Sequence, residues 1–377
     1  MIETLRTSVP ADAHGATMVD EQLSSQFAVE TVQLGTRVCD IVASPSADHI
    51  YVAVADCVMV INRFHNIVTK IPVGRAPKRM ILSADGVFLY VIDYDGSLFI
   101  INNTDHTSTT IANSPTVAEV VSPDGGRIYL AHHAMSNERD HSWISIVDAD
   151  GTTLARVPID TCVTGMDLSP DGSRLYVATS RRSPYTQYYP GLVSVIDTGT
   201  HTAVDNIAVS VSPTTLTVSP DGSRTFITHY DTNAITAIDL IRRSVTSICV
   251  QDAPLAVAIT PDSSKMYVIG LRSLAVIDIT TELTHSIPVG ELPRCLHFGE
   301  DGKQAYVTDF GRHAVAVLDT ITDTVMATVE VGGNPEAIAL SNDGQRLYVA
   351  DYWAGALTAI SIESVMRDWD NTRHVED

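Results

Sequence analysis

The sequence predicts an all-β protein: a closed propeller of eight four-stranded blades. Three observations predict it. A Ser-Pro-Asp-Gly-like hairpin motif recurs eight times, its copies lie about 40 residues apart, and the two termini carry complementary fragments of one blade. The copies begin at Ser44, Ser83, Ser122, Ser169, Ser219, Thr260, Gly299 and Ser341, at intervals of 39, 39, 47, 50, 41, 39 and 42 residues. An aromatic residue follows each start by seven positions: Tyr51, Tyr90, Tyr129, Tyr176, Phe226, Tyr267, Tyr306 and Tyr348. Such a period, built from short strands, marks a propeller or a related array. A seven-bladed ring is the alternative, and it requires one irregular hairpin.

Each element of the repeat has a local cause. In the last unit, Gly332–Pro335 is a turn, Glu336–Ser341 the first strand, Asn342-Asp343-Gly344 a hairpin turn, Arg346–Asp351 the second strand and Leu357–Ser361 the third. The Asp-Gly pair between apolar runs is a strong hairpin signal because glycine takes the positive φ of a tight turn. Third strands end in Asp197, Asp239, Asp278 and Asp319, short side chains that bond the backbone two residues on and start a turn. Fourth strands are the alternating segments before the next turn, such as Thr69–Val73 and Met326–Val331. The eighth unit lacks its fourth strand, whereas Val29–Leu34 precedes the first hairpin as an orphan. The two ends are therefore expected to complete one blade, removing the exposed edges of an open array. The expected organisation is a flexible segment at 1–26, the propeller at 27–364, and a polar tail at 365–377 around Trp369 and His374.

The second strands read Tyr176-Val-Ala-Thr179, Tyr306-Val-Thr-Asp309 and Tyr348-Val-Ala-Asp351. In these stretches the chain resembles the YVTN-type propeller family over residues 27–364, and its pattern is similar to lactonase-type propellers and to the haem-binding propeller of cytochrome cd-type nitrite reductases. The resemblance implies a fold and a binding role rather than one activity.

Acidic residues number 45 against 24 Lys plus Arg, a formal charge of −21. A surface of that sign repels phosphate backbones and anionic lipid, so neither nucleic acid nor membrane is an expected partner. The five cysteines have neither paired nor metal-type spacing. No apolar run is long enough for a secretory core or a membrane span, and a cytoplasmic location is expected. Gly-rich phosphate loops, His-Glu-x-x-His, Cys-x-x-Cys and nucleophile elbows are missing from the sequence.

Candidate site residues fall in three groups. Loops after the second strands of the third and fourth units are enlarged, and Arg181, Arg182, Tyr185, Tyr188 and Tyr189 are expected to form a ligand-binding lip beside His132, His133, Arg139 and His141. Trp353, in the corresponding loop of the eighth unit, joins the ligand-facing set. Three residues past each aromatic stand Val54, Asp93, His132, Thr179, His229, Gly270, Asp309 and Asp351. Their aspartates suit turn capping. Asp93 and His132, in neighbouring units, are the candidate metal pair, while His132 or His229 as base and Arg294 as oxyanion stabiliser are the candidate catalytic set. Five residues before each hairpin, Cys39, Lys78, Val117, Thr164, Thr214, Leu255, Arg294 and Glu336 address the channel. Of these, Cys39, Lys78, Arg294 and Glu336 fall on one arc with Arg75 and Arg79, a cluster suited either to a small anionic ligand or to an ion-pair network between blades. Lys78 beside Cys39 is expected to lower the thiol pKa.

The function expected is a binding or interaction module that presents its loop-rich face and channel to a small molecule or a protein. The alternatives are a lactonase-like hydrolase, or another small-molecule enzyme, using the channel, and haem or tetrapyrrole binding through His132 or His229. No cofactor is required by the first reading; a metal or a haem belongs to the alternatives.

Overall fold

A computed structural model describes residues 28–45, 49–111, 115–134, 141–180 and 190–363. Among them, 32 strands form eight separate four-stranded antiparallel sheets. Blade 1 runs outward through Val38–Ala43, His49–Val54, Cys57–Asn62 and Ile67–Pro72. The innermost strands of blades 2 to 8 are Pro77–Leu82, Thr116–Val121, Cys162–Leu168, Pro213–Val218, Pro254–Ile259, Pro293–Phe298 and Pro335–Leu340. Blade 8 continues through Arg346–Asp351 and Ala356–Ser361 and takes its outermost strand, Val29–Gln33, from the other end of the chain. That strand lies antiparallel to Ala356–Ser361, from Val29 opposite Ile360 to Gln33 opposite Ala356. The ring is closed as the sequence predicts, with eight blades rather than seven.

The core is distributed, one apolar cluster per seam between neighbouring sheets. The repeat aromatic of each blade is the wedge of the seam that follows it. Tyr51 enters the seam of blades 1 and 2, Tyr90 that of 2 and 3, and so on to Tyr348, which packs with Val38, Ile41 and Val52 of blade 1. Burying one such ring against aliphatic neighbours contributes about 2–3 kcal/mol.

The hairpin motif has a chemical reason visible in blade 2. Ser83 Oγ donates to Asp85 Oδ1 at 2.6 Å and accepts from Phe88 N at 2.9 Å, Asp85 Oδ1 also accepts from Val87 N at 2.9 Å, and Gly86 takes φ 72°. Ser122–Asp124, Ser169–Asp171, Ser219–Asp221, Thr260–Asp262 and Ser341–Asp343 repeat the arrangement. These hydrogen bonds hold most of the carboxyls below their ordinary pKa, Asp171 at about 2, with the serine hydroxyl, or that of Thr260 for Asp262, the leading cause. An acid favoured in its ionised form by folding stabilises the fold above its unfolded pKa of 3.8, and the benefit is lost as pH falls toward about 2. Melting temperature is therefore expected to drop between pH 4 and 2, and Asp171→Asn should flatten part of that slope; an unchanged profile would count against the hairpin bonds as its source.

Candidate functional site: the channel and its rim

Strand polarity puts two kinds of connection at each end of the ring. At one end, loops between second and third strands bond to the loops entering each blade, as in Phe310 N to Leu292 O at 3.0 Å and Leu271 N to Ala253 O at 3.1 Å. This is the loop-rich rim. At the other end, third-to-fourth-strand turns bond to the Asp-Gly hairpins.

At the rim, the position three past the aromatic is the last residue of the second strand in six blades; in blades 3 and 4 the strand runs on past His132 and Thr179 to Ala134 and Ser180. Asp93, Asp309 and Asp351 are buried there and cap turns. Asp309 accepts hydrogen bonds from Glu291 N, Leu292 N and Gly311 N, each 3.0 Å. Asp351 accepts from Trp353 N and Ala354 N, and Asp93 from Ser97 N at 2.7 Å. A glycine in the entering loop makes room for each carboxylate: a Cβ on Gly74, Gly290 or Gly333 would overlap Asp93, Asp309 or Asp351 respectively. Blade 6 inverts the pair. Gly270 ends its second strand, and Asp252 of the entering loop supplies the carboxylate, accepting from Ala253 N and Arg272 N.

The same geometry decides the fate of the candidate metal and catalytic residues. The carboxylate of Asp93 is turned into its own blade's turn, against Gly74, rather than toward His132. His132 is fully buried and stacks on Trp143 with centroids 5.0 Å apart. His229 is also fully buried; its Nδ1 lies 2.8 Å from Val211 O and its Nε2 2.8 Å from Thr236 Oγ1, and burial pushes its pKa down. Arg294 lies over the Phe310 ring at 5.4 Å in blade 7. The structure does not bring these three residues to one cavity, and neither imidazole is presented to a channel ligand. Among the described residues there is no group of three or more His, Cys, Asp or Glu able to hold a metal ion. Trp353 is exposed at the rim and Arg37 lies over it at 5.0 Å. Arg181, Arg182, Tyr185, Tyr188 and Tyr189 lie outside the described residues, as do Arg139 and the side chain of His141.

The positions read as channel-facing turn out to be bulge residues. In every blade the inner strand shifts register after its first pairs, so that Cys39, Lys78, Val117, Thr164, Thr214, Leu255, Arg294 and Glu336 have no partner opposite. Lys78 lines the channel, Arg294 turns to the rim, Glu336 is exposed, and Cys39 is half-buried. The Cys39 thiol is raised, not lowered: burial leads, the Asp40 charge adds to it, and the opposing cation is Arg37.

The charged core of the channel lies deeper. Asp40 accepts from its neighbour Ile41 N at 2.8 Å and from Met80 N of blade 2 at 2.7 Å. Asp167 repeats this stitch between blades 4 and 5, accepting from Val218 N at 2.8 Å. A backbone N–H on the free edge of an inner strand needs such an acceptor. Burial pushes Asp40 up to about 6 despite these bonds and the Arg79 charge. Arg79 Nη1 pairs with Glu119 Oε1 at 3.2 Å; the guanidinium side chain is 58% exposed and the glutamate 3%. Glu119 occupies the position where other inner strands carry Ile41, Met80, Met166, Leu216 or Ile338, packed between blades. Arg79 thus reaches into a channel cavity of 410 Å³ together with Lys78, opposite Thr164, Thr215 and Val257. Cys295 and His297 stand on the inner strand of blade 7, outside the lining of that cavity; desolvation inside the ring raises the thiol to about 11 and lowers the imidazole, although His297 keeps a solvent-exposed face.

Sequence reasoning missed Asp40, Glu119 and His297. The signal was present as ionisable residues inside otherwise apolar inner strands. The bulge hid it, because one extra residue breaks the two-residue alternation used to choose the facing side.

No family model matches the chain, and no curated protein matches it. Among solved structures, a chain of Kuenenia stuttgartiensis hydrazine synthase is similar over 93% of this chain and 99% of that chain, with TM-score 0.56 and 18% identity. The likeness is one of fold, and the fold and site together define an eight-bladed β-propeller with a charged channel. The YVTN pattern remains a resemblance in repeat sequence. No helix among the described residues is long and apolar enough to cross a membrane.

Proposed function

We propose that this propeller is a binding module whose channel takes a small carboxylate-bearing ligand. The observation that carries this reading is the Arg79 guanidinium, held from behind by the buried Glu119 and opening with Lys78 onto a 410 Å³ cavity. An arginine fixed by one carboxylate keeps further N–H donors in a planar fork for a second. Threonine hydroxyls and apolar side chains on the facing wall supply the mixed lining typical of small-ligand sites. The rigid ring and the aromatic rim around Trp353 support binding at the same end.

Titration calorimetry with a panel of small mono- and dicarboxylates tests the reading. Arg79→Met is expected to weaken the best ligand at least about tenfold, the scale of one charge-assisted contact, and to leave the melting temperature within a few degrees. Affinity should also depend on pH. Asp40 is raised to about 6, so it is neutral below that pH and competes for Arg79 above it. Binding is therefore expected to strengthen as pH falls through about 6, and Asp40→Asn should remove that step. Binding that is unaffected by Arg79→Met would overturn the assignment.

A further inference from the structure

At the hairpin end of the ring, the seam of blades 6 and 7 is closed by a carboxylate. Asp323, at φ 55° in the third-to-fourth-strand turn of blade 7, accepts from Tyr267 Oη at 2.6 Å and from Lys265 Nζ at 2.7 Å, both of blade 6. It also lies 3.3 Å from His285 Nε2 on the outermost strand of blade 6. Lys265 Nζ donates in addition to Thr320 O at 2.7 Å, so one cation clamps blade 6 to the turn of blade 7. Arg224 of blade 5 makes the same clamp onto blade 6, donating to Ile279 O at 2.6 Å.

The seam of blades 4 and 5 has the same positions with the charges exchanged. Arg174 and Tyr176 stand where blade 6 has Lys265 and Tyr267, and Asp205 lies opposite Val195 as His285 lies opposite Val276. The turn residue corresponding to Asp323 is Arg243, at φ 58°. Its Nη2 pairs with Asp205 Oδ2 at 3.1 Å. Arg174 and Tyr176 therefore share their seam with a cation, where Lys265 and Tyr267 have a carboxylate. Arg174 turns back to its own blade, its Nη1 donating to Asp197 Oδ2 and to Ser173 O rather than across to Leu240 O. A cavity of 300 Å³ is left, lined by Arg174, Tyr176, Asp205 and Arg243, with Val195, Ile207 and Leu240 supplying apolar wall.

We infer that this seam cavity is a second binding site, separate from the channel, for a small carboxylate with a short aliphatic tail. The ligand's carboxylate takes the place that the Asp323 side chain fills between blades 6 and 7, with Arg174, Arg243 and the Tyr176 hydroxyl as its donors. A guanidinium carries five N–H groups in a planar fork, and Asp197 and Asp205 each engage only one nitrogen of their arginine. The Arg174 and Arg243 side chains are 40% and 74% exposed, open to a further anion. The Tyr176 ring is buried, and its hydroxyl gains the acceptor that Asp323 gives Tyr267. Val195, Ile207 and Leu240 reward the burial of methylene groups, which favours a tailed acid over a bare anion. A cavity of 300 Å³ is at the small end of ligand sites and suits a tail of a few carbons.

Calorimetric titration of the full chain with hexanoate tests this, with acetate as the bare head group and inorganic phosphate as a different oxyanion. Every titration is repeated in the Arg79→Met background, which silences the channel and keeps the two sites distinguishable. In that background hexanoate is expected to bind at least about tenfold more tightly than acetate or phosphate. Arg243→Asp combined with Asp205→His transplants the cluster of blades 6 and 7, so the chain itself supplies the carboxylate. This exchange should lower hexanoate affinity at least about tenfold and leave the melting temperature unchanged or higher, because aspartate takes positive φ more readily than arginine. Tyr176→Phe, the ring that blade 5 carries as Phe226, should weaken hexanoate about threefold to tenfold without lowering the melting temperature, and it carries the test if the exchange destabilises the fold. No binding of hexanoate in the Arg79→Met background, binding no tighter than that of acetate or phosphate, a folded exchange variant that binds like its parent, or indifference to Tyr176→Phe overturns the proposal.

Discussion

Deletion of residues 1–36 is expected to convert the closed ring into an aggregating protein with a melting temperature lowered by more than about 10 °C. The deletion removes Val29–Gln33 and so strips Ala356–Ser361 of its partner over the whole register from Val29–Ile360 to Gln33–Ala356. It also removes Leu34, whose N–H bonds Gly355 O at 2.9 Å and whose side chain packs on the seam of blades 8 and 1, together with the Glu30 carboxylate that pairs with His65 Nδ1 at 2.9 Å. At about 1 kcal/mol for each net backbone hydrogen bond, the strand alone contributes about 5 kcal/mol, a sizeable share of the stability of an ordinary domain. The exposed edge is then a template for a second chain. Size-exclusion chromatography and calorimetric melting check the outcome, and a soluble monomer melting with the full-length chain would contradict closure by this strand.

The second large effect is expected at Asp309. Its carboxylate is 1% exposed and holds three backbone N–H groups from two loops. Asp309→Ala leaves all three donors without their acceptor and should cost about 4 kcal/mol, since each bond to a buried charged group contributes about 1.5–3 kcal/mol and the three are not additive. Gly290→Ala should be comparably harmful from the other side, because its φ is 143° and a Cβ there overlaps the same carboxylate. The decisive variant is the pair Glu291→Asp with Asp309→Gly, which gives blade 7 the inverted arrangement of Asp252 and Gly270. It should recover at least half of the loss in chemical denaturation. If the pair is no more stable than Asp309→Ala, the acceptor's placement is not interchangeable between strand and loop.

The fold was legible because its signals are local and repeated. An Asp-Gly turn, an aromatic seven residues after each start and a terminal strand without partners each have one physical reading, and eight copies average out the irregular ones. The capping role of Asp93, Asp309 and Asp351 was legible for the same reason. The channel was less so. Arg79 was seen only as a neighbour of Lys78, and Asp40, Glu119 and His297 were missed, because a bulge in each inner strand rephases the side chains without any mark in composition. Long-range stitches such as Asp40 to Met80 N depend on the spacing of neighbouring blades, which no single repeat encodes. His132 and His229 illustrate the opposite error. In the sequence an imidazole reads as chemistry, whereas here both rings are buried on second strands, and burial lowers the His229 pKa against the hydrogen bond to Val211 O, which favours the charged form.

The exchange of aspartate and glycine between Gly333–Asp351 and Asp252–Gly270 bears on how such a ring can be assembled from interchangeable units. A blade built by taking the commonest residue at every site independently would sometimes set two acids face to face and sometimes two glycines, with either a clash or a hollow under the rim. Strand end and preceding loop therefore form one inheritable cassette, and grafts that cut between them should fail even when every residue transferred is native to some blade.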